Sequence, residues 1–131
     1  MCAAMVTVAD VMSSDLITVA PSASVEEAAR MMSRGSTGSA LVMDGDRAAA
    51  IFTERDIMRA LAQSNTDIGR SSRVDRWMTR DPVAVGRDAT IGEALDIMLA
   101  GGFRHLVVVA KSGAAVGVVS MRDLAGRIAK P

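Results

Sequence analysis

Apolar positions along this chain follow two periods, and the order in which those periods alternate occurs twice. Val25, Ala28, Ala29 and Met32 stand at i, i+3, i+4 and i+7, and Ile91, Ala94, Leu95 and Met98 repeat that spacing. Such a series lines one face of a helix, so each predicts an amphipathic helix of about three turns. Both series run into a glycine, Gly35 or Gly101, which reads as a C-terminal stop. Ser24 and Thr90 stand where an N-cap hydroxyl belongs, and Glu27 and Glu93 follow three residues on, as in a capping box. Short apolar runs come next, "SALVM" (39–43) and "HLVVVA" (105–110), consistent with buried strands. "AAAIFT" (48–53) follows turn-like "DGDR", and "AAVGVVS" (114–120) follows "KSG". Each half is therefore expected to hold a β-hairpin. A second helix is expected after Thr53 and after Ser120, and a short segment, "ITV" or "VAV", precedes the first helix.

Each half thus reads β-α-β-β-α, and the two align as a duplication. At an offset of 66, "VMSSDLITV" (11–19) lies on "WMTRDPVAV" (77–85), and "VEEAARMMSRG" (25–35) lies on "IGEALDIMLAG" (91–101). One extra residue in the second hairpin makes the offset 67, and "AIFTERDI" (50–57) then lies on "GVVSMRDL" (117–124). The halves are 8–63 and 74–129, with "SNTDIGRSSR" (64–73) between them. That stretch is polar and contains glycine, so it reads as a linker. One half alone exposes an apolar sheet face and a helix stripe. The expected fold is therefore α/β of the α+β kind, with two pseudo-symmetric repeats packed sheet to sheet.

Bulk composition narrows the class of function. The 131 residues are 50% hydrophobic, with 15 basic and 15 acidic residues. A packed globule fits and a disordered chain does not. Zero net charge gives no electrostatic reason to expect nucleic acid or an anionic membrane surface as a partner. No apolar run approaches the roughly 18 residues of a membrane span, and the start "MCAAMVTVADVM" lacks the pattern of a secretory signal. One cysteine, Cys2, excludes an internal disulfide. A reducing cytoplasm is the simplest location. No Ser/His/Asp set, metal cluster or cofactor lysine stands out, and a single histidine leaves few general bases, so an enzyme is the weakest reading.

The chemistry concentrates in the doubled motif. Thr53 and Ser120 precede helices, where a hydroxyl caps free N–H groups. Asp56 and Asp123 fall three residues later, at the acid position of a capping box, near the positive end of the helix dipole. Capping explains the hydroxyl and the acid. It leaves Arg55 and Arg122 unexplained, because a cation in the first turn opposes the dipole. A bound anion would reverse that balance, since a helix N-terminus already attracts one. Hydroxyl, backbone N–H and guanidinium together suit a phosphate, and the carboxylate suits a neutral diol such as a ribose.

In this order and twice over, "VMSSDLITVAPSASVEEAARMM", "AIFTERDI", "WMTRDPVAVGRDATIGEALDIM", "GFRHLVVV" and "GVVSMRDL" resemble a tandem pair of CBS domains, a Bateman module, over about residues 8–129. In length the chain is similar to small stand-alone bacterial members. The resemblance implies two clefts between the halves and an adenosine compound as regulatory ligand, with no cofactor required. AMP, ADP, ATP, NAD and S-adenosylmethionine share the recognised portion. It further implies that Asp56 and Asp123 accept hydrogen bonds from ribose hydroxyls. Thr53 and Ser120 would bind phosphate with Arg55 and Arg122 nearby, and Ile51 and Val118 would wall an adenine face. The opposite wall of each cleft would come from Arg104 and His105 in one half and from Gly38 and Ser39 in the other. The implied assembly is a homodimer acting on an unidentified regulated protein. A dimerisation scaffold with vestigial clefts is the alternative.

Departures between the copies bear on those expectations. "RH" (104–105) against "GS" (38–39) makes the two clefts electrostatically unequal. The one reached by Arg104 and His105 is expected to prefer the phosphate-bearing ligand and to be the one carrying Thr53 and Asp56. Ala50 stands where the second copy has Gly117, and its methyl is expected to crowd a ligand that approaches the backbone. Trp77 and Met78 are read as packing at the linker. The ten methionines are read as core filler or an adaptable interface. "GSTGS" (35–39) lacks the lysine and spacing of a P-loop and is read as a helix-to-strand turn.

Overall fold

The computed structural model describes residues 6–63 and 66–129. Cys2 and the first two residues of the expected linker lie outside them. The helices are α1 (Val8–Val11), α2 (Val25–Arg34), α3 (Glu54–Gln63), α4 (Thr66–Ser71), α5 (Ile91–Gly101) and α6 (Met121–Ala129). The strands are β1 (Ser39–Asp44), β2 (Arg47–Thr53), β3 (Thr79–Arg80), β4 (Ala84–Gly86), β5 (His105–Val109) and β6 (Ala115–Ser120). They form two three-stranded sheets, ordered β1-β2-β3 and β4-β5-β6. The mixed α/β class read from the periodicity is the observed one. Among the described residues no helix is long and apolar enough to cross a membrane.

The chain forms two compact units, and they do not follow the sequence repeats. A continuous unit runs from Ile17 to Pro82, and a split unit joins residues up to Leu16 with those from Val83 onward. Each unit takes its leader segment from the other repeat. In the split unit Val8 is fully buried in the core with Val85, Ala94, Met98, Leu106, Val108, Val119 and Leu124. Its N–H donates to the Ala89 carbonyl at 2.8 Å. Ser13 then pairs with Val118 of β6, donating and accepting at 2.9 and 3.0 Å. In the continuous unit the matching leader does the same. Val74 and Trp77 join the core of Val25, Ala28, Met32, Ala40, Ala50 and Phe52, and β3 pairs with β2 through Ala50–Arg80 and Ile51–Thr79.

Most helices and hairpins begin and end where the periodicity places them, but "ITV" (17–19) forms only an isolated bridge, Thr18 with Leu41, and α1 and β3 were not expected. Thr90 and Glu93 make the full capping box at α5, but at α2 Ser24 makes only the hydroxyl half, accepting from the Glu27 N–H at 3.0 Å. Gly35 does not act as a left-handed stop. Its φ is −83°, the left-handed residue is Ser36 at φ 52°, and a Cβ on Gly35 would meet Ile17 Cδ1 at 2.9 Å. At α5 the helix runs through Gly101, and Gly102 takes φ 72°. The supposed linker folds into α4 because Gly69 lets two backbones approach. A side chain there would meet the Ala60 carbonyl oxygen at 2.6 Å. Ser72 Oγ donates to the Gly69 carbonyl at 2.6 Å and accepts from Trp77 Nε1 at 3.0 Å. Polarity and glycine here mark helix packing rather than a loose connection.

Candidate ligand-binding site

β2 ends on Thr53 where α3 begins, and β6 ends on Ser120 where α6 begins. Both motifs therefore occupy a strand-to-helix corner, with the free N–H groups of a helix start close by. At the α6 corner the capping is reciprocal. The Asp123 N–H donates to Ser120 Oγ at 3.1 Å, and the Ser120 N–H donates to Asp123 Oδ2 at 2.8 Å. At the α3 corner the Thr53 N–H donates to Asp56 Oδ2 at 2.9 Å and the Thr53 hydroxyl donates to the same oxygen at 3.4 Å. The reciprocal cap is realised at the α6 corner, while the α3 corner makes the acid's half; in both copies the preceding N–H occupies one carboxylate oxygen.

The second oxygen separates the copies. Arg59 Nη1 donates to Asp56 Oδ1 at 3.1 Å, and the Asp56 side chain is only 5% exposed. Burial holds the Asp56 carboxyl above the usual carboxylate range, against the opposing pull of the Thr53 N–H and Arg59. Asp123 is half-buried, and its Oδ1 has no protein partner among the described residues. Arg55 and Arg122 are exposed in the first helical turns, and neither forms an ion pair among the described residues. An open groove of about 520 Å³ lies over the α6 corner, lined by Val11, Arg122, Asp123, Gly126 and Arg127.

Strand pairing settles which residues stand beside which motif within a unit. Ser39 pairs with Thr53, and the Glu54 N–H donates to the Gly38 carbonyl at 3.1 Å. His105 pairs with Ser120, and the Met121 N–H donates to the Arg104 carbonyl at 2.8 Å. Within their own unit the backbone places Arg104 and His105 beside Ser120 and Met121. Ile51 is buried and Val118 half-buried. Each alternates along its strand with neighbours that point into the core, Phe52 and Val119.

The contrast between Ala50 and Gly117 has a packing cause. Ala50 is fully buried in its unit's core. A Cβ on Gly117 would meet Met12 Sδ at 2.5 Å and the Ser13 carbonyl oxygen at 2.9 Å. The glycine makes room for the leader of its own unit, so crowding of a ligand is not needed to explain the difference.

A family profile described as the CBS domain matches residues 8–63 and again 73–130. The chain belongs to the CBS domain family. An uncharacterized 17.7 kDa protein of Acidianus ambivalens is 41% identical to the CBS pair over 119 residues, covering 90% of this chain and 70% of that one. A solved CBS-domain containing protein from Agrobacterium tumefaciens superposes with a TM-score of 0.83 at 31% identity, covering 93% of both chains. A Pyrobaculum aerophilum CBS domain protein complexed with AMP gives a TM-score of 0.81 at 24% identity, covering 96% of this chain and all of that one.

Two residues of the CBS pair near the motif escape a reading of the motif alone. Arg59 lies three residues past Asp56, a spacing at which helical side chains meet. Its guanidinium carbon lies 5.8 Å from the Trp77 ring centroid, and that of Arg76 lies 5.2 Å away. Trp77 is therefore a core residue whose indole N–H is held by Ser72 and whose ring is flanked by two cations. The aligned position in the second repeat is Gly126. Following the shared motif one further turn would have exposed this difference.

Proposed function

We propose that this CBS pair is a non-enzymatic regulatory module whose two strand-to-helix corners bind an adenosine-type ligand and whose shape responds to occupancy. One observation carries the reading. At the α6 corner a carboxylate with an unused oxygen stands in a groove beside Arg122 and Arg127, neither of which is ion-paired among the described residues. The acid suits a vicinal diol and the guanidiniums suit phosphate, the two polar ends of a nucleotide. The AMP complex of the Pyrobaculum aerophilum CBS domain protein supports the choice of ligand class. In this reading Thr53, Arg55 and Asp56 play the same parts at the α3 corner, with Ile51 and Val118 as apolar walls. Gly38, Ser39, Arg104 and His105 flank the motifs. A ligand changes the module's shape only through unequal affinity for two arrangements.

The test is a thermal-shift titration with AMP, ADP, ATP, NAD and S-adenosylmethionine. A concentration-dependent rise in melting temperature is expected with at least one of them. Asp123→Ala and Asp56→Ala should each weaken binding at one site by roughly tenfold to a hundredfold, on the order of 1.5–3 kcal/mol for a charge-assisted hydrogen bond. Flat curves across the whole panel refute the sensor and leave the dimerisation scaffold. The reading includes a homodimer, for which exposed Met58, Leu61 and Ile68 offer apolar surface.

A further inference from the structure

The two motifs share a hydroxyl, an arginine, an aspartate and an aliphatic residue at matching positions, yet one helical turn later the copies differ sharply. Position 59 is an arginine and its counterpart 126 is a glycine. Arg59 spans from Asp56 Oδ1, at 3.1 Å, to the face of Trp77, 5.8 Å from its centroid. Both oxygens of Asp56 are then engaged, Oδ2 by Thr53 and Oδ1 by the guanidinium. Gly126 leaves open space, because a Cβ there would find nothing within 4 Å. Asp123, which lines the groove, keeps Oδ1 for a ligand.

A vicinal diol donates two O–H bonds and needs unshared lone pairs on the carboxylate. Asp123 offers them at once. Asp56 accepts three hydrogen bonds and keeps one lone pair on Oδ1, so seating both diol hydroxyls there requires loss of the charge-assisted bond from Arg59. A phosphate offers Arg59 a new partner. A neutral nucleoside offers none.

We propose that residue 59 gates the first motif while Gly126 leaves the second open. Asp123 is then the tight site for adenosine compounds. Asp56 fills second, and preferentially with a phosphate-bearing ligand that draws Arg59 away from both the acid and Trp77. This rests on the nucleotide-binding reading above and adds an order of filling and a reporter, since Trp77 is the only tryptophan in the chain.

The experiment is calorimetric titration of the full chain with AMP and with adenosine, followed in parallel by Trp77 emission. Wild type should show a tight class that leaves Trp77 emission unchanged and a weak class, seen with AMP, that changes it. Arg59→Ala should tighten the weak class about tenfold and let adenosine enter it. Gly126→Arg should weaken the tight class by a similar factor, and Asp123→Ala should weaken it by roughly tenfold to a hundredfold while circular dichroism confirms the fold. Two equal classes in wild type overturn the gate. So does an Arg59→Ala variant with unchanged constants, or a tight class that moves Trp77 emission. Binding by these outcomes leaves the functional reading standing. No heat with either compound in wild type, Arg59→Ala and Gly126→Arg alike refutes the gate, whereas the functional reading falls only with flat melting curves across the whole adenosine panel.

Discussion

Replacing Gly117 with alanine places a methyl in space that the structure has already filled. The new Cβ would stand 2.5 Å from Met12 Sδ, 3.0 Å from Met12 Cγ and 2.9 Å from the Ser13 carbonyl oxygen. Met12 has rotatable bonds and can move aside. Ser13 cannot move freely, because its carbonyl accepts from the Val118 N–H at 3.0 Å and its N–H donates to the Val118 carbonyl at 2.9 Å. Overpacking of this kind costs about 1–3 kcal/mol. Two effects oppose it. Alanine restricts the unfolded chain, worth about 0.4–1 kcal/mol, and φ at Gly117 lies outside the positive range that would strain a side chain. The backbone clash should prevail, with a net loss of about 1–2 kcal/mol. With about 2.1 cal/mol/K of unfolding entropy per residue, a chain of 131 residues would lose roughly 4–7 °C in melting temperature. Urea unfolding and calorimetry measure this directly. Met12→Ala costs its own packing against the core, so the Met12 share of the clash is read as the coupling energy of the Met12→Ala/Gly117→Ala double-mutant cycle. An unchanged or raised melting temperature for Gly117→Ala alone would refute the leader-packing account of this glycine.

Thr90→Ala removes the hydroxyl that accepts the Glu93 N–H at 3.1 Å and half of a reciprocal box. It should cost about 1 kcal/mol in urea unfolding, and a loss under about 0.3 kcal/mol would count against the cap. Asp56 yields a pH prediction. Its carboxyl is held above its ordinary value of 3.8 by burial, so the folded state binds its proton more tightly than the unfolded state does. Its contribution is fully present below pH 3.8 and is lost as pH rises through the folded value. Relative to Asp56→Asn, wild type should lose stability as pH climbs out of the acid range. A relative gain over the same interval would show that Arg59 outweighs burial.

Much of the fold was legible because its signals are local. The series at Val25 and Ile91 and the hydroxyls at Ser24 and Thr90 state a helix within ten residues of chain. The hairpins around Gly45 and Gly113, both with positive φ, are equally local. The doubled motif stated its own capping, and it placed the acids correctly at the helix starts. What escaped was set by contacts distant in sequence. Gly69 reads as a loosener until Ala60 is seen against it. Trp77 reads as linker packing until its ring is found in a core with Arg59 beside it. The pairing of Ser13 with Val118 joins residues from opposite ends of the chain, and no spacing rule connects them. At the two corners the places of the acids at the helix starts were readable, whereas the state of Asp56 depends on Arg59 and on burial, which no motif encodes.

The borrowed leaders make each half of the duplication an incomplete body. A chain severed within α4 would separate Val74 and Trp77 from the hydrophobic centre they help fill, and Val8 from the other. Neither fragment could reach its native interior by itself. A mixture of the two could reconstitute both, as interlocking pieces do. A half-length copy of either repeat would complete its interior only when a second copy lends it the leader it lacks.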